Sequence, residues 1–187
     1  MNLLSKISLG LTLPLITLWM GWGLYVIYTT ERPPYQVLGH LAPDIEIRQY
    51  EGQTWISTSL ITDNSSFPVL ASYIFGKNKE NAQVAMTAPV VTDEKMSFIL
   101  PAGLSAADAP APDGQPIEFT QVPARKLATL EFSWFTGQSR VEEKTAELLG
   151  LLEKKNIKTK GRPFLMRYND PWTPPFMRRN EVGIEVL

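Results

Sequence analysis

The sequence YIFGKNKENAQVAMTAPVV, residues 73–91, places a helix end, a polar loop and an extended run directly after one another. Apolar residues with helical spacing lead into this stretch: Phe67, Leu70, Ala71 and Ile74. Gly76 stands where a helix commonly ends in a left-handed residue. Residues 84–90 are predicted to be an extended strand, and because Pro89 has no N–H to donate to a ladder, the strand is expected to lie at an edge, to be bulged or to end there. The stretch therefore predicts a helix held over a sheet.

Short runs rich in β-forming residues lie on both sides of this stretch and predict further strands. The predicted strands are 45–50, 54–60, 95–100, 117–122, 126–135, 164–168 and 181–187. The first two are predicted to pair as a hairpin across Gly52. A second helix is predicted over residues 139–155, with Ser139 and Glu142 as its capping box.

Residues 101–116 are rich in proline, alanine and glycine and separate two halves with the same order: strand, strand, helix, strand, strand. The matched residues are Ile45 with Ile117, Glu46 with Glu118 and Gln49 with Gln121. We predict an α+β fold, in which two similar ββαββ-like halves form one distorted antiparallel β-barrel with two helices outside it. A groove between helix and sheet would suit a flat apolar ligand.

The composition excludes several kinds of site. The chain has no cysteine, so it has no disulfide scaffold, cysteine–zinc site, iron–sulfur cluster or cysteine nucleophile. His40 is the only histidine, which excludes a multi-histidine metal site. The net charge is −1 and no basic patch is visible, so no nucleic-acid partner is predicted.

The N-terminal part has the pattern of a membrane anchor. Ile7–Tyr28 contains no charged residue, and as a helix it would be about 33 Å long, enough to span a bilayer. Aromatic residues crowd its second half, as in an interfacial belt. A cleaved secretory signal is the alternative, although no small-x-small cleavage site follows. We predict a retained single-pass anchor and proline-rich spacer over residues 1–34 and one domain over residues 35–187.

The flanking charges give an orientation. Lys6 and the terminal amine are positive before the segment, whereas Glu31 and Arg32 cancel after it. The positive-inside rule therefore favours a domain on the periplasmic or extracytoplasmic side of the membrane.

Six segments, in this order, resemble the SOUL haem-binding protein family over residues 35–187. They are IEIRQY (45–50), YIFGKN (73–78), VAMTAPV (84–90), FILP (98–101), YNDP (168–171) and RRNEV (178–182). The resemblance implies a distorted antiparallel β-barrel with two helices that binds haem or another tetrapyrrole, with no established common enzymatic reaction. Some relatives carry a histidine in the first strand where this chain has Gln49, so no ligand can be carried over to that position.

A haem site needs apolar surface for the ring, cations for the propionates and, optionally, an axial donor. The candidates are Trp55, Phe67, Leu70 and Ile74 for the ring, Arg48 and Lys77 for the propionates, and His40, Met86 and Tyr168 for the iron. Trp55 is expected beneath the first helix. Each candidate also has a plainer interpretation as core, surface charge or filler. The preferred hypothesis is binding by ring burial and propionate pairing, without a strong protein ligand to iron.

The resulting prediction is membrane-tethered binding of a tetrapyrrole for buffering, storage or transfer. One alternative is an enzyme that removes the metal or cleaves the ring, for which only Glu51, Glu181 and His40 are eligible as acid or base. A second alternative is a protein-interaction domain that has lost the ligand. No catalytic residue is assigned. The aromatic loop 170–179 either contacts a ligand or the bilayer surface, or packs as a stiff loop on the end of the barrel.

Overall fold

The computed structural model describes residues 3–60 and 63–187, with side chains described from residue 14 onwards except at residues 63 and 64. The helices are α1 (Leu3–Thr29), α2 (Asp63–Ile74) and α3 (Gln138–Lys154), with a 3₁₀ turn at Pro175–Met177. The strands are β1 (Tyr35–Ala42), β2 (Ile45–Tyr50), β3 (Gln53–Ser59), β4 (Val90–Thr92), β5 (Lys95–Ile99), β6 (Glu118–Val122), β7 (Arg125–Phe132), β8 (Thr159–Arg167) and β9 (Asn180–Val186).

The nine strands form one antiparallel sheet in the order β1-β2-β7-β9-β8-β4-β5-β3-β6. The sheet is open within the described residues, because β1 and β6 lie at its two ends and do not pair with each other. The prediction of a closed barrel is therefore wrong, although the α+β class is confirmed. The predicted hairpin is also wrong: β2 pairs with β1 and β7, whereas β3 pairs with β5 and β6.

The strand order relates the two halves. The strands β2–β5 of the first half correspond, in sequence order, to the strands β6–β9 of the second half. Read from β2 to β6, the sheet has the same order as when it is read from β6 to β2 with corresponding strands interchanged, so the two halves are related by a pseudo-twofold axis. The first strand of each half pairs with the second strand of the other half, β2 with β7 and β6 with β3. The two halves therefore interlock instead of closing locally.

Alternate residues of each strand face opposite sides of the sheet, so the sheet has two different faces. On one face α3 packs against β7, β8 and β9, and α2 packs against β3 and β5. The buried core under α3 includes Leu130, Leu148 and Ile184, and the core under α2 includes Ile56, Leu70 and Phe98. The opposite face, which we call the inner face, carries a third core around Tyr50, Phe164 and Tyr168.

The segment from α2 to β4 differs from the prediction in one respect. Gly76 ends the helix with φ +99°, as predicted, and its position beside the Asn81 backbone suits a residue without a side chain. Pro89 precedes β4 and does not end a strand. The N–H of Ala88 donates instead to the carbonyl of Glu31 at 2.9 Å, so the residues before Pro89 pair with the linker after α1.

α3 is the predicted second helix, but its start is different. Gly137 occupies the N-cap position and makes no side-chain capping bond, so the predicted capping box is wrong. Ser139 lies inside the first turn, and Glu142 instead accepts a hydrogen bond from Gln138 Nε2 at 2.9 Å. Leu148 and Leu152, on the side of the helix that packs against the sheet, are buried.

Among the residues that the structure describes, there is no helix with the length and apolar character needed to cross a membrane. Lys6, on which the predicted orientation depends, lies outside the residues with described side chains. The predicted anchor and its orientation stay predictions.

Candidate functional site

The exposed side of α2 and the loop after it carry two of the predicted ligand contacts, Phe67 and Lys77. Phe67 and Phe75 are 41% and 66% exposed, and their eight-residue separation places them about 80° apart around the helix axis. Lys77 and Lys79 follow directly and are exposed. We call Phe67, Phe75, Lys77 and Lys79 the α2 ledge. Within the described part of the chain, neither lysine ammonium forms an ion pair.

Residues beneath the ledge fix the helix to the sheet. Leu70 and Ile74 are 0% and 2% exposed and belong to the same buried core as Phe98. The Phe67 ring packs on Phe98 with 5.2 Å between ring centres. Leu70 and Ile74 are therefore core residues, and the space between helix and sheet is filled by their packing.

The loop that carries the two lysines is held by hydrogen bonds. Asn78 is buried, and its Nδ2 donates to the carbonyls of Tyr73 at 3.0 Å and Ala82 at 2.7 Å. The Lys77 carbonyl accepts from Gln115, and the Lys79 N–H donates to the Ala111 carbonyl at 2.9 Å. These bonds fix the backbone next to the ledge and leave both ammonium groups in solvent.

Arg48 lies elsewhere, in a buried charge cluster on the inner face. Arg48 Nη1 donates to both carboxylate oxygens of Glu181, at 2.9 and 2.8 Å. Arg179 Nε donates to the same carboxylate at 2.8 Å, and the Tyr168 hydroxyl donates to it at 2.9 Å. We call Arg48, Tyr168, Arg179 and Glu181 the inner charge cluster. Both Arg48 and Glu181 are almost completely buried, so the Arg48 cation is already engaged.

The cluster shifts the protonation equilibria of its members. Burial alone would lower the pKa of Arg48 and of Arg179, but the facing Glu181 carboxylate raises the pKa of both above the ordinary arginine value. Burial and the adjacent Glu181 also raise the pKa of Tyr168 well above its usual value. Tyr168 therefore remains a neutral hydrogen-bond donor to Glu181.

Trp55 also faces the inner side. It packs against the inner core, whereas its neighbour Ile56 belongs to the core under α2. The Arg125 guanidinium lies 5.0 Å from the Trp55 ring centre, and Trp55 Nε1 donates to Gln53 at 2.9 Å. The expected position of Trp55 beneath α2 is therefore wrong, because successive strand residues face opposite sides.

The remaining candidates are dispersed. His40 is exposed on β1, with Nδ1 3.5 Å from the Glu46 carboxylate. Met86 is partly buried against the core under α2. Glu51 lines a cleft of about 280 Å³ between the linker after α1 and the loop after β5. Other residues lining this cleft are Glu31, Pro34, Thr87, Leu100 and Gln121.

A family model for the SOUL heme-binding protein matches residues 30–185, which is most of the chain. The chain belongs to the SOUL family. This family binds haem, so tetrapyrrole binding is supported at the level of the family. No curated protein matches the chain in sequence.

Solved structures with a similar fold are also found. The C-terminal domain of EcmrR superposes with a TM-score of 0.57 at 12% identity, covering 82% of this chain and 98% of that domain. A Listeria innocua protein described as a hydrolase encoded by lin2189 gives a TM-score of 0.50 at 10% identity, covering 86% and 95%. At these identities the likeness is one of fold.

The SOUL family ligand can be tested against the two candidate surfaces. A tetrapyrrole needs an apolar face and, for its propionates, cations. The cleft beside Glu51 has two carboxylates and no lysine or arginine among its lining residues. The α2 ledge has two exposed aromatic rings and two ammonium groups without an ion-pair partner among the described residues, so its residues fit the ligand.

Two parts of this arrangement were not predicted from the sequence. Phe75 and Lys79 were not selected, although Phe75 lies eight residues after Phe67 and would have extended the aromatic surface. The inner charge cluster was also missed as a unit. The sequence does contain a signal for it, because β2 and β9 each carry a charged residue on the inner face. Arg48 alternates with the apolar Ile47, and Glu181 alternates with the apolar Val182.

Proposed function

We propose that this chain binds haem or a related tetrapyrrole on the α2 ledge while α1 holds it at a membrane. The ring lies over Phe67 and Phe75, and the propionates pair with Lys77 and Lys79. The observation that carries the proposal is that one fixed helix end presents two exposed aromatic rings and two cations without an ion-pair partner in the described part of the chain. Family membership supplies the class of ligand.

Binding on an open ledge has chemical consequences. One face of the tetrapyrrole ring stays exposed to solvent. The lysines act as point charges, so dissolved salt weakens their attraction to the propionates. Met86 and Met96 both belong to the core under α2, and His40 lies on β1 with Glu46 beside it. The proposal is therefore binding by ring burial and propionate pairing, with similar affinity for several porphyrins. Such a site suits buffering, storage or transfer.

The membrane part of the proposal depends on α1. Ile7–Tyr28 has no charged residue, and described side chains of α1 such as Leu18 and Tyr25 are 71% and 60% exposed. Exposed apolar side chains of this density favour contact with lipid. In this proposal the domain lies on the extracytoplasmic side, as the charges around α1 favour.

Replacing the ledge residues should weaken haem binding by the full chain in mild detergent. Phe67→Ala and Phe75→Ala should each raise the Kd about tenfold, because each removes one of the two aromatic rings that contact the ligand. Lys77→Glu should raise the Kd and reduce the dependence of binding on salt, since the propionate then faces a carboxylate. The measurement is a titration followed by the shift of the Soret band.

Two matched variants control for nonspecific effects. Leu38→Ala removes an exposed apolar side chain on β1, and Lys158→Glu reverses an exposed cation after α3. Neither should change the Kd by more than about twofold. If haem binds but all three ledge variants match the wild type, the site is elsewhere; if no Soret shift occurs in the wild type, the proposed function is wrong.

A further inference from the structure

Two loops present four exposed aromatic side chains on one side of the domain. Trp134 and Phe135 follow β7 and are 50% and 58% exposed, and Trp172 and Phe176 follow β8 and are 75% and 50% exposed. We call these four residues the aromatic patch. With 150–250 Å² for each aromatic side chain, the patch exposes roughly 500 Å² of apolar surface. A patch of that size on a protein surface is often functional.

The two loops form a single surface. The N–H of Trp134 donates to the carbonyl of Pro175 at 2.9 Å. Asn180 Nδ2 donates to the Trp134 carbonyl at 3.0 Å, which ties the first loop to the start of β9. The Arg178 guanidinium lies 5.3 Å from the centre of the Phe135 ring. The patch is thus a connected part of the fold.

The patch adjoins α1 well before the end of that helix. Trp19 Nε1 donates to the Trp172 carbonyl at 2.7 Å. Gly23 is buried against the same loop, where an added Cβ would lie 2.9 Å from Pro174 and 3.3 Å from Met177. Trp19 precedes the last helical residue, Thr29, by ten positions (29 − 19), or about 15 Å of helix. A bilayer that takes up α1 as far as Trp19 therefore also reaches Trp172.

The backbone of the second loop is suited to a medium with little water. Asp170 accepts hydrogen bonds from the N–H groups of Trp172 and Thr173, at 2.6 and 2.9 Å. Arg178 donates to the carbonyls of Thr173 and Pro171, at 2.8 and 2.6 Å. The residues of this loop without an N–H are Pro171, Pro174 and Pro175. Lipid-facing backbone must be satisfied internally, and these polar groups are.

We infer that the aromatic patch docks the domain on the interface of the lipid bilayer that α1 enters. Tryptophan and phenylalanine provide apolar contact with lipid, and the Trp172 loop lies at the level of Trp19 and Gly23 on α1. The inference extends the membrane attachment proposed above and rests on it. It further assigns a fixed orientation to the domain, with the patch against the lipid.

The absence of cysteine allows single labels to be placed in the full chain. Four variants are each labelled with an environment-sensitive dye: Phe135→Cys and Phe176→Cys in the patch, Leu18→Cys on α1, and Leu187→Cys as the control. Leu187 is 68% exposed and follows the far end of β9, about 20 Å from Asn180 at the patch. Each protein is placed in vesicles of phosphatidylcholine and phosphatidylglycerol that contain a nitroxide-labelled lipid.

Docking predicts that lipid nitroxides quench the labels at 18, 135 and 176 several-fold more than the label at 187. Quenching at 18 without quenching at 135 and 176 overturns docking but leaves the attachment through α1. Quenching at 135 and 176 without quenching at 18 supports docking and overturns the attachment through α1. If none is quenched, both are wrong. Energy transfer between copies at 135 or 176, without lipid quenching, makes the patch an interface between chains and overturns docking.

Discussion

Replacing Glu181 with alanine is expected to lower the free energy of unfolding by about 3–5 kcal/mol. Glu181 is 0% exposed, and its carboxylate receives Arg48, Arg179 and Tyr168. The variant would remove the carboxylate that both guanidinium groups share, leaving the buried Arg48 with Glu46 alone and the partly exposed Arg179 with Glu131. Breaking a buried ion pair from one side is costly, because the remaining charge is desolvated. Equilibrium unfolding of the full chain in urea, followed by circular dichroism, measures the change.

Glu185→Ala provides the matched control, since Glu185 lies on the same strand. Its carboxylate is partly exposed and pairs with Lys160 at 2.9 Å. Exposed pairs of this kind contribute about 1 kcal/mol or less. An equal loss of stability in the two variants would contradict the assignment of Glu181 as the anion that neutralises the inner charge cluster.

Leu70→Ala is expected to lower the free energy of unfolding by about 2–5 kcal/mol, yet to change the Kd for haem by less than about threefold under conditions where the variant is folded. Leu70 is fully buried in the core under α2, so its loss leaves a cavity. The α2 ledge lies on the outer side of the helix and retains its rings and cations. The measurements are urea unfolding and the Soret titration on the same preparation.

Phe67→Ala is the comparison for Leu70→Ala, and the opposite pattern is expected. Phe67 is 41% exposed, so its replacement should weaken haem binding about tenfold and cost less stability than Leu70→Ala. If Leu70→Ala instead abolished haem binding with little loss of stability, the ligand would lie between the helix and the sheet. That outcome would restore the groove predicted from the sequence and contradict the ledge.

Local patterns in the sequence predicted most of the elements. The helical spacing through Ile74 and the glycine at position 76 located the end of α2 correctly. Residues 139–155 gave α3 within one residue at each end. β1 was missed because two register irregularities, between Val37 and Gly39 and between His40 and Ala42, disturb its alternation.

Strand pairing could not be predicted from the same local patterns. β2 and β3 are joined by only two residues, Glu51 and Gly52, which suggested a hairpin. Five strands nevertheless stand between them in the strand order, because the first strand of each half pairs with the second strand of the other half. Register and neighbours are set by long-range packing. The inner charge cluster depends on β2, β7 and β9 lying side by side, so Arg48 could not be assigned to Glu181 from the sequence.

The candidate ligand site was predicted only in part. The sequence selected α2 and Lys77, but it treated the buried stripe of Leu70 and Ile74 as ligand surface. An apolar stripe with helical spacing marks the face of the helix that packs on the sheet. The surface available to a ligand is therefore on the exposed side of the helix. Phe75 could therefore be recognised only once the structure showed which side of α2 is covered.

The most direct test of the central claim compares the affinities of the full chain for haem and for metal-free protoporphyrin IX under the same conditions. Ring burial on Phe67 and Phe75 and propionate pairing with Lys77 and Lys79 involve no bond to iron. We predict that both ligands bind saturably, with Kd values within about threefold of each other. Binding of haem more than about a hundredfold tighter than the metal-free ring, or binding of neither, would contradict the account.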